Sequence, residues 1–226
     1  MTELVQVGGL WAPETELPKL QTYSMFEGRL DLDVSKLAKV IAHRSGSQRA
    51  LDIGAHIGAT AIYLAEHFAS VDAFEPMEQT REALAKNVAG LRKVMIHDCA
   101  LSNTTEPMTF EYVAKHSQMS RALPPGSKQA WNSAVCVENI PTRRIDDFGF
   151  TDVDFIKIDV EGFERRVVEG ASKTIRRCRP LIMIEQGGNE AKFYGEPENA
   201  ASAFLEQIGM KRLDFGFRND RVYRFI

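Results

Sequence analysis

Short apolar runs alternate along this chain with amphipathic stretches, and that alternation limits its fold more than any other feature. Apolar runs at residues 50–53, 71–74 and 94–96 are separated by stretches 61–68 and 78–91, whose apolar residues recur three and four positions apart. This spacing predicts strands that alternate with amphipathic helices. Strands joined through helices pair in parallel by right-handed crossovers, so we expect an α/β fold with helices on both faces of a mostly parallel sheet.

The second half of the chain repeats this pattern and then departs from it. Strands are predicted at residues 153–159 and 181–184, each followed by a helical stretch. The last two apolar runs, 210–217 and 221–225, are joined at Asn219-Asp220, which is typical of a hairpin turn. The final strand should therefore run against its neighbour, unlike the plain dinucleotide-binding arrangement.

We expect a single domain over residues 31–226, preceded by an N-terminal cap segment over residues 1–30. Pro13 and Pro18 interrupt any helix in the cap segment, which is predicted to be irregular and either caps the domain or lies over a pocket. Residues 114–134 form a polar insert that is either a functional lid or a disordered loop. Both segments are short, so a site beside them is either open or completed by another subunit of a homo-oligomer.

The charge balance disfavours polyanionic partners. The net charge is −3, so no basic surplus attracts nucleic acid or an anionic membrane. Three cysteines, Cys99, Cys136 and Cys178, lie far apart without zinc-type spacing and are expected to be reduced thiols. The N-terminus lacks the pattern of a signal peptide, and no stretch reaches the roughly 20 apolar residues of a membrane span. We therefore expect a cytoplasmic protein.

A glycine turn follows the first predicted strand and reads Asp52-Ile53-Gly54-Ala55-His56-Ile57-Gly58. Glycines at such a turn let the backbone approach a ligand closely. A GxGxxG fingerprint would have its middle glycine where His56 stands, and a pyrophosphate would have to pass close to that side chain. The turn therefore favours a cofactor without phosphates. His56 itself is either a cofactor contact or an ordinary polar turn residue.

Acids end the next two strands at the same edge of the sheet. Glu75 lies 23 positions after Asp52, and an acid placed there can accept hydrogen bonds from both hydroxyls of a ribose. Asp98 ends the third strand and is positioned to meet an adenine amino group, with Cys99 and Ala100 lining the base. Ribose and adenine without phosphates indicate S-adenosylmethionine.

These motifs, in this order, resemble those of the FkbM-type methyltransferases over residues 46–190. The matching segments are DIGAHIG at 52–58, AFEP at 73–76, CALS at 99–102, the Ile145-Asp146-Asp147 tripeptide, IKIDVEGFE at 156–164 and Ile184-Glu185. The resemblance implies a class I Rossmann-like fold with seven strands and a C-terminal antiparallel hairpin. It also implies an S-adenosylmethionine-dependent enzyme, and its preferred chemistry is O-methylation of a hydroxyl on a small molecule or glycan.

The resemblance assigns roles to individual residues. It implies that residues 54–58 lie against the methionine part of the cofactor, Glu75 against the ribose, and Asp98 with Cys99 against the adenine. The family has asparagine where this chain has His56, and histidine can donate a similar hydrogen bond. The predicted cofactor-binding set is Asp52, Gly54, Ala55, His56, Gly58, Glu75, Pro76, Asp98, Cys99, Ala100 and Asp159.

Three further acids are predicted to converge at one end of this pocket. Asp159 lies at the carboxyl end of a strand, Glu161 follows in the turn, and Glu185 ends the next strand. Methyl transfer depends on aligning the acceptor and benefits from a nearby base. We predict Asp159 and Glu161 to be the catalytic residues, Asp159 orienting the cofactor or acceptor and Glu161 serving as acceptor base or orienter. Lys157 is expected to neutralise one acid, and Glu164 only to charge the following helix.

Several alternatives remain at this point. We expect no metal, but Asp159, Glu161 and Glu185 could together hold a divalent cation, since hard cations take oxygen ligands. A methyltransferase acting on nucleic-acid bases would carry an Asn/Asp-Pro-Pro-aromatic run where this chain reads Asp159-Val160-Glu161-Gly162. A non-catalytic module that only binds S-adenosylmethionine is the third possibility.

Overall fold

The computed structural model describes residues 3–113, 120–123, 135–187 and 190–226. Its N-terminal segment contains strands β1 (Leu4–Val7) and β2 (Leu10–Pro13), a 3-10 helix (Glu14–Glu16), helix α1 (Leu17–Leu20), and strands β3 (Met25–Phe26) and β4 (Arg29–Leu30). The prediction of an irregular segment is therefore wrong. The prolines are accommodated at the edges of elements, with Pro13 ending β2 and Pro18 in the first turn of α1, where proline is tolerated.

The remaining elements follow in chain order. The first half comprises α2 (Val34–Ile41), β5 (Arg49–Ile53), α3 (Ala59–His67), β6 (Ser70–Phe74), α4 (Glu78–Val88), β7 (Val94–His97), β8 (Ala100–Leu101), β9 (Met108–Tyr112) and β10 (Arg121–Leu123). The second half comprises β11 (Val135–Ile140), β12 (Thr142–Arg143), a 3-10 helix (Ile145–Phe148), β13 (Val153–Ile158), α5 (Glu164–Gly170), α6 (Ser172–Cys178), β14 (Leu181–Glu185), α7 (Glu190–Phe193), α8 (Ala200–Gln207), β15 (Met210–Leu213) and β16 (Asp220–Phe225).

Seven strands form the central sheet in the order β15-β16-β14-β13-β5-β6-β7. Strand β16 is antiparallel to both of its neighbours, whereas β14, β13, β5, β6 and β7 pair in parallel. This is the class I methyltransferase sheet with its C-terminal antiparallel hairpin, as predicted. The register aligns Ile158 with both Ile53 and Ile184, so the carboxyl ends of three parallel strands meet at one edge.

The core occupies both faces of this sheet. Alternate residues of a strand point to opposite faces, so neighbouring residues join different apolar clusters. Phe155 packs in one cluster with the apolar residues of α2 and α3, and Ile156 packs in the other with those of α5, α6 and α8. The first cluster also includes Leu10 and Leu20 from the N-terminal segment, which is therefore part of the folded core.

Three predicted details differ from the structure. The helical stretch expected after the strand at residues 153–159 is broken at Ala171 into α5 and α6. The neighbouring Gly170 lies so close to the main-chain oxygen of Ser102 that a Cβ would overlap it. The final hairpin turns through residues 214–219, and Asp220 belongs to the last strand. The sequence predicts Asp33 or Ser35 as the cap of α2, but the side chain that accepts an amide of its first turn is that of Asp31, with Ser35 N 2.9 Å away.

Part of the predicted polar insert is ordered. Strand β9 pairs with β11 on one side and with β10, which lies inside the insert, on the other. The tyrosine hydroxyl of Tyr194 donates to the main-chain oxygen of Ala122 at 2.9 Å and ties β10 to the domain. Residues 114–119 and 124–134 lie outside the described residues, so the choice between lid and disordered loop stays open. None of the helices in the described ranges is long and apolar enough to cross a membrane.

Candidate active site

A cavity of about 280 Å³ opens at the carboxyl ends of β5, β6 and β13. The position is the one at which open α/β sheets bind ligands. Ten residues predicted from the sequence line it together: Gly54, Ala55, His56, Glu75, Pro76, Cys99, Ala100, Asp159, Glu161 and Glu185. Three others, Asp52, Gly58 and Asp98, are not among the lining residues.

The two glycines of the turn are needed for packing against protein. Gly54 has φ +80°, and a Cβ there would overlap the main-chain oxygen of Asp159. Gly58 has φ +90°, and a Cβ would lie 2.5 Å from Leu84 Cδ1. Both residues combine a left-handed conformation with a close neighbour, so each favours glycine. The glycine turn therefore brings the loop after β13 and helix α4 against β5, in addition to lining the cavity with Gly54.

Glu75 is buried and joins two turns. Its Oε2 accepts the main-chain amide of His56 at 2.9 Å, and its Oε1 accepts the amide of Met77 at 3.0 Å and the hydroxyl of Thr80 at 2.9 Å. Burial raises the pKa of Glu75, although the charge of His56 and these hydrogen bonds oppose the shift. A carboxylate has about four acceptor positions, so one is left for a ligand.

Asp98 is exposed, whereas Cys99 and Ala100 after it are buried in the cavity wall. Strand β7 ends at His97, and the chain turns so that the acid faces solvent. The structure thus does not bring Asp98 to the other predicted cofactor residues. Burial raises the pKa of the Cys99 thiol to about 11, so this part of the wall is neutral at physiological pH.

Asp52 lies behind the cavity wall. Its Oδ2 accepts the hydroxyl of Thr60 at 2.6 Å, and Thr60 itself lines the cavity. In the sheet register Asp52 is opposite Lys157. Burial raises the pKa of Asp52, and the charge of Lys157 and the hydrogen bond from Thr60 oppose the shift. Asp52 is therefore in contact with residues of the wall without reaching the cavity.

Lys157 neutralises an acid, as predicted. Its Nζ lies 3.1 Å from Asp159 Oδ2. Burial lowers the pKa of Lys157, but the charges of Asp159 and Asp52 outweigh burial and raise it. Burial likewise raises the pKa of Asp159, and Lys157 reverses this and lowers it. Asp159 and Lys157 are both charged at neutral pH.

Glu185 and Glu161 hold protons beside this pair. The charge of Asp159, followed by burial, raises the pKa of Glu185 to about 8. Burial, followed by the charges of Asp159 and Glu185, raises the pKa of Glu161 to about 9. Glu161 also has a strained φ of +53°. In the free protein at pH 7 both glutamates are predominantly protonated, so Glu161 can act as a base only after a positive group has lowered its pKa.

Glu164 is more than a helix-end charge. It does begin α5, as predicted, but it is buried and its Oε1 accepts the main-chain amide of Gly162 at 2.8 Å. Burial raises its pKa to about 7. The side chain therefore closes the turn that carries Glu161, and it titrates near physiological pH.

The carboxylates that approach one another differ from the predicted metal candidates. Oxygens of Asp33, Asp159 and Glu185 lie within 4.8 Å of one another, and Glu161 is not part of this group. Lys36 Nζ lies 2.6 Å from Asp33 Oδ1, and Lys157 Nζ contacts Asp159 Oδ2. These two ammonium groups already provide positive charge at the cluster.

One of the two alternatives for the cap segment was that it lies over a pocket, and residues of the N-terminal region do reach the cavity. Tyr23, Leu32 and Asp33 line it, and the buried Glu16 lies 3.3 Å from the ring of His56. These residues are far in sequence from the glycine turn and follow no recognisable spacing. Strand β10 contributes Ala122, which also lay outside the predicted site.

Comparisons with known proteins identify the family and support the fold. The sequence model of the FkbM methyltransferase domain matches residues 52–218. A solved FkbM methyltransferase from Methylobacillus flagellatus KT is similar over 79% of this chain, with a TM-score of 0.51 and 19% identity. This chain spans only 44% of that protein's length.

A putative rRNA methylase from Clostridium thermocellum is similar over 84% of this chain and 94% of its own, with a TM-score of 0.51 and 11% identity. At these identities both structures establish a shared fold alone. No curated protein matches the sequence.

Proposed function

Because the chain belongs to the FkbM methyltransferase family, we propose that it binds S-adenosylmethionine in this cavity and methylates a hydroxyl group of a small molecule or glycan. The observation that carries the proposal is the arrangement of the cavity. Its lining combines apolar residues and the buried carboxyl group of Glu75 with a group of acids, Asp159, Glu161 and Glu185. A nucleoside with a positively charged tail is complementary to such a surface.

The residues of the wall fit the parts of the cofactor. We assign Cys99 and Ala100 to the adenine, because they are buried and neutral. Glu75 and Pro76 are assigned to the ribose, since Glu75 keeps an acceptor position beyond its three hydrogen bonds. The turn residues Gly54, Ala55 and His56 are assigned to the methionine portion. Asp52 is assigned no direct contact and supports the cavity wall through its hydrogen bond with Thr60. Asp98 is assigned to no part of the cofactor.

Asp159 and Glu161 are the proposed catalytic residues. The bound cofactor supplies an electrophilic methyl group on a sulfonium. Asp159, which is ionised through Lys157, accepts hydrogen bonds from the cofactor's ammonium or from the acceptor. Glu161 is protonated in the free protein, and positive charge beside it lowers its pKa. The carboxylate so formed can then hold the proton of the acceptor hydroxyl.

The acceptor side is strongly acidic. A smaller cleft continues from Asp159, Glu161 and Glu185 and is lined by Glu164, Glu190 and Glu198. None of its described lining residues is basic. This supports an acceptor that is neutral or positively charged, and it disfavours methylation of nucleic-acid bases, whose phosphates would meet these acids.

Calorimetry with S-adenosylhomocysteine tests cofactor binding, and the proposal fails if the wild-type protein does not bind it. Transfer is tested by mass spectrometry of small-molecule and glycan extracts incubated with isotopically labelled S-adenosylmethionine. We expect a labelled product with the wild type and with Glu78→Gln, an exposed control, and little or none with Glu161→Gln. Binding without any labelled product would favour the non-catalytic module, and label in an RNA or DNA oligomer would favour the base methyltransferase.

A further inference from the structure

Glu16 is a buried acid that the proposed reaction does not use. It is 1% exposed, and neither of its oxygens receives a hydrogen bond of normal geometry from the part of the chain that the structure describes. Its ion-pair partner is the imidazole of His56, with Nε2 3.3 Å from Oε2. An ionised carboxylate is costly to bury unless a positive charge compensates it. A positive charge on His56 would compensate a carboxylate at this buried position.

The segment that carries Glu16 is fixed to the glycine turn. Asn87 on α4 accepts the main-chain amide of Trp11 at 2.7 Å through Oδ1. Its Nδ2 donates to the main-chain oxygens of Trp11 at 2.8 Å and of Ile57 at 2.7 Å. One side chain thus joins β2, three residues before the 3-10 helix of Glu16, to the residue that follows His56. This connection holds the segment that carries Glu16 against the turn that carries His56.

His56 lies among three acids. Glu16 faces its ring, Glu75 accepts its main-chain amide, and Asp159 lies across the cavity. Burial lowers the pKa of the imidazole, but the interaction with Glu16, followed by the charges of Glu75 and Asp159, outweighs burial and raises it. His56 also lines the cavity, and its side chain is 20% exposed. A cation in this wall attracts an anionic group of the ligand.

We propose that Glu16 is a positioning residue that keeps His56 as an imidazolium in the cavity wall, where the ring pairs with the carboxylate of the cofactor's methionine portion. The inference rests on the proposed function and adds a residue from outside the matched family domain. It also predicts pH dependence. The imidazolium exists below the pKa of His56, so the pairing is complete at lower pH and is lost as the pH rises through that pKa.

Two ligands separate this role from a structural one. S-adenosylhomocysteine carries the carboxylate, and methylthioadenosine is a similar nucleoside without the amino-acid portion. Calorimetry between pH 6 and 9 should show that the wild-type affinity for S-adenosylhomocysteine falls as pH rises, while the affinity for methylthioadenosine stays flat. Glu16→Gln should lower the pKa of His56 and weaken the binding of S-adenosylhomocysteine about tenfold at pH 8, since one pKa unit corresponds to a factor of ten. The same substitution should leave the affinity for methylthioadenosine unchanged.

Matched variants complete the test. Glu14→Gln, exposed on the same 3-10 helix, should behave as the wild type. His56→Asn should remove the pH dependence, and Glu16→Gln added to it should have no further effect. The inference would be overturned if Glu16→Gln lost the same affinity for both ligands, or if the pH dependence of its S-adenosylhomocysteine affinity matched that of the wild type.

A direct titration keeps the inference testable if Glu16→Gln does not fold. NMR of the wild-type histidine rings, assigned with His56→Asn, should give a pKa for His56 above the ordinary 6.5. A value at or below 6.5 overturns the role of Glu16 while leaving cofactor binding intact. Wild-type protein that binds neither nucleoside refutes the proposed function itself.

Discussion

The main-chain amide of His56 donates a hydrogen bond to the carboxylate of Glu75, 2.9 Å away. The residue assigned to the ribose therefore also holds the turn assigned to the methionine portion. The same carboxylate accepts the amide of Met77, so the turns after β5 and β6 share one acceptor. The proposed cofactor contact and the local structure of the cavity wall therefore involve the same side chain.

Replacing Glu75 should consequently affect binding and stability together. In Glu75→Gln the amide nitrogen must face one of the donors that the carboxylate accepts, which leaves a buried donor without an acceptor. We expect a loss of about 1–3 kcal/mol in the free energy of unfolding. The affinity for S-adenosylhomocysteine should fall by about tenfold or more. Urea denaturation and calorimetry measure the two effects, with exposed Glu78→Gln as control. Weaker binding with unchanged stability would show that Glu75 contacts only the ligand.

Glu161→Gln should stabilise the free protein while impairing transfer. The folded protein keeps the Glu161 proton up to a pKa of about 9, whereas the unfolded chain releases it near 4.5. The folded state thus binds more protons between these values, and the free energy of unfolding falls as pH rises through this window. Glutamine removes this contribution. We expect the variant to gain stability relative to wild type as pH increases from 5 to 9, measured by urea denaturation at several pH values.

A constant stability difference across that pH range would contradict the raised pKa of Glu161. Glu3→Gln, an exposed substitution of the same kind, supplies the baseline.

Gly54→Ala should destabilise the fold before it affects any ligand. The added Cβ overlaps the oxygen of Asp159 and strains a left-handed backbone, for which we expect a cost of at least about 2 kcal/mol. Gly90 at the end of α4 has no atom within 4 Å of the corresponding position. Gly90→Ala should therefore stay close to the wild type. Equal stability of the two variants in chemical denaturation would show that the turn adapts to a side chain.

Lys157→Met should leave the carboxylates of Asp159 and Asp52 without their buried cation. Removing one partner of a buried ion pair costs about 3–5 kcal/mol. Without Lys157 the pKa of Asp159 rises, so the destabilisation should shrink as the pH falls and the acid becomes protonated. Denaturation at pH 5 and pH 8 measures the difference, and exposed Lys39→Met is the matched control. A destabilisation independent of pH would point to lost packing alone.

Local patterns predicted most of the sheet and the segments that meet at its edge. Strand periodicity located β5, β6 and β13, and parallel pairing brought Glu75 and Asp159 to one cavity. The direction of an isolated side chain after a strand is set by the path of the loop. Asp98 is an example, because periodicity ends at His97 and the acid then faces solvent.

Contacts between distant segments could not be read from spacing. Glu16 and His56 are joined through the docking of β2 on α4, and a lone glutamate before a short helix gives no signal of its partner. The approach of Asp33 to Asp159 and Glu185 could not be predicted either, because Asp33 is distant from both in sequence. The raised pKa values of Glu161 and Glu185 could not be predicted either, because they depend on burial and on neighbouring charges in the packed structure. Glu161 was predicted as an acceptor base or orienter from its place after a strand, and this reasoning gave no sign that its pKa is raised to about 9.

The link that Asn87 makes between Trp11 and Ile57 has a consequence for exchanging parts between proteins. The matched family domain begins at residue 52, so the cap and the acid behind His56 lie outside it. A chimera that transplants residues 52–218 would carry Asp159, Glu161 and Glu185 but would leave Tyr23, Leu32 and Asp33 of the cavity lining behind. A graft that keeps the cavity of this chain would therefore have to include the residues before the matched domain.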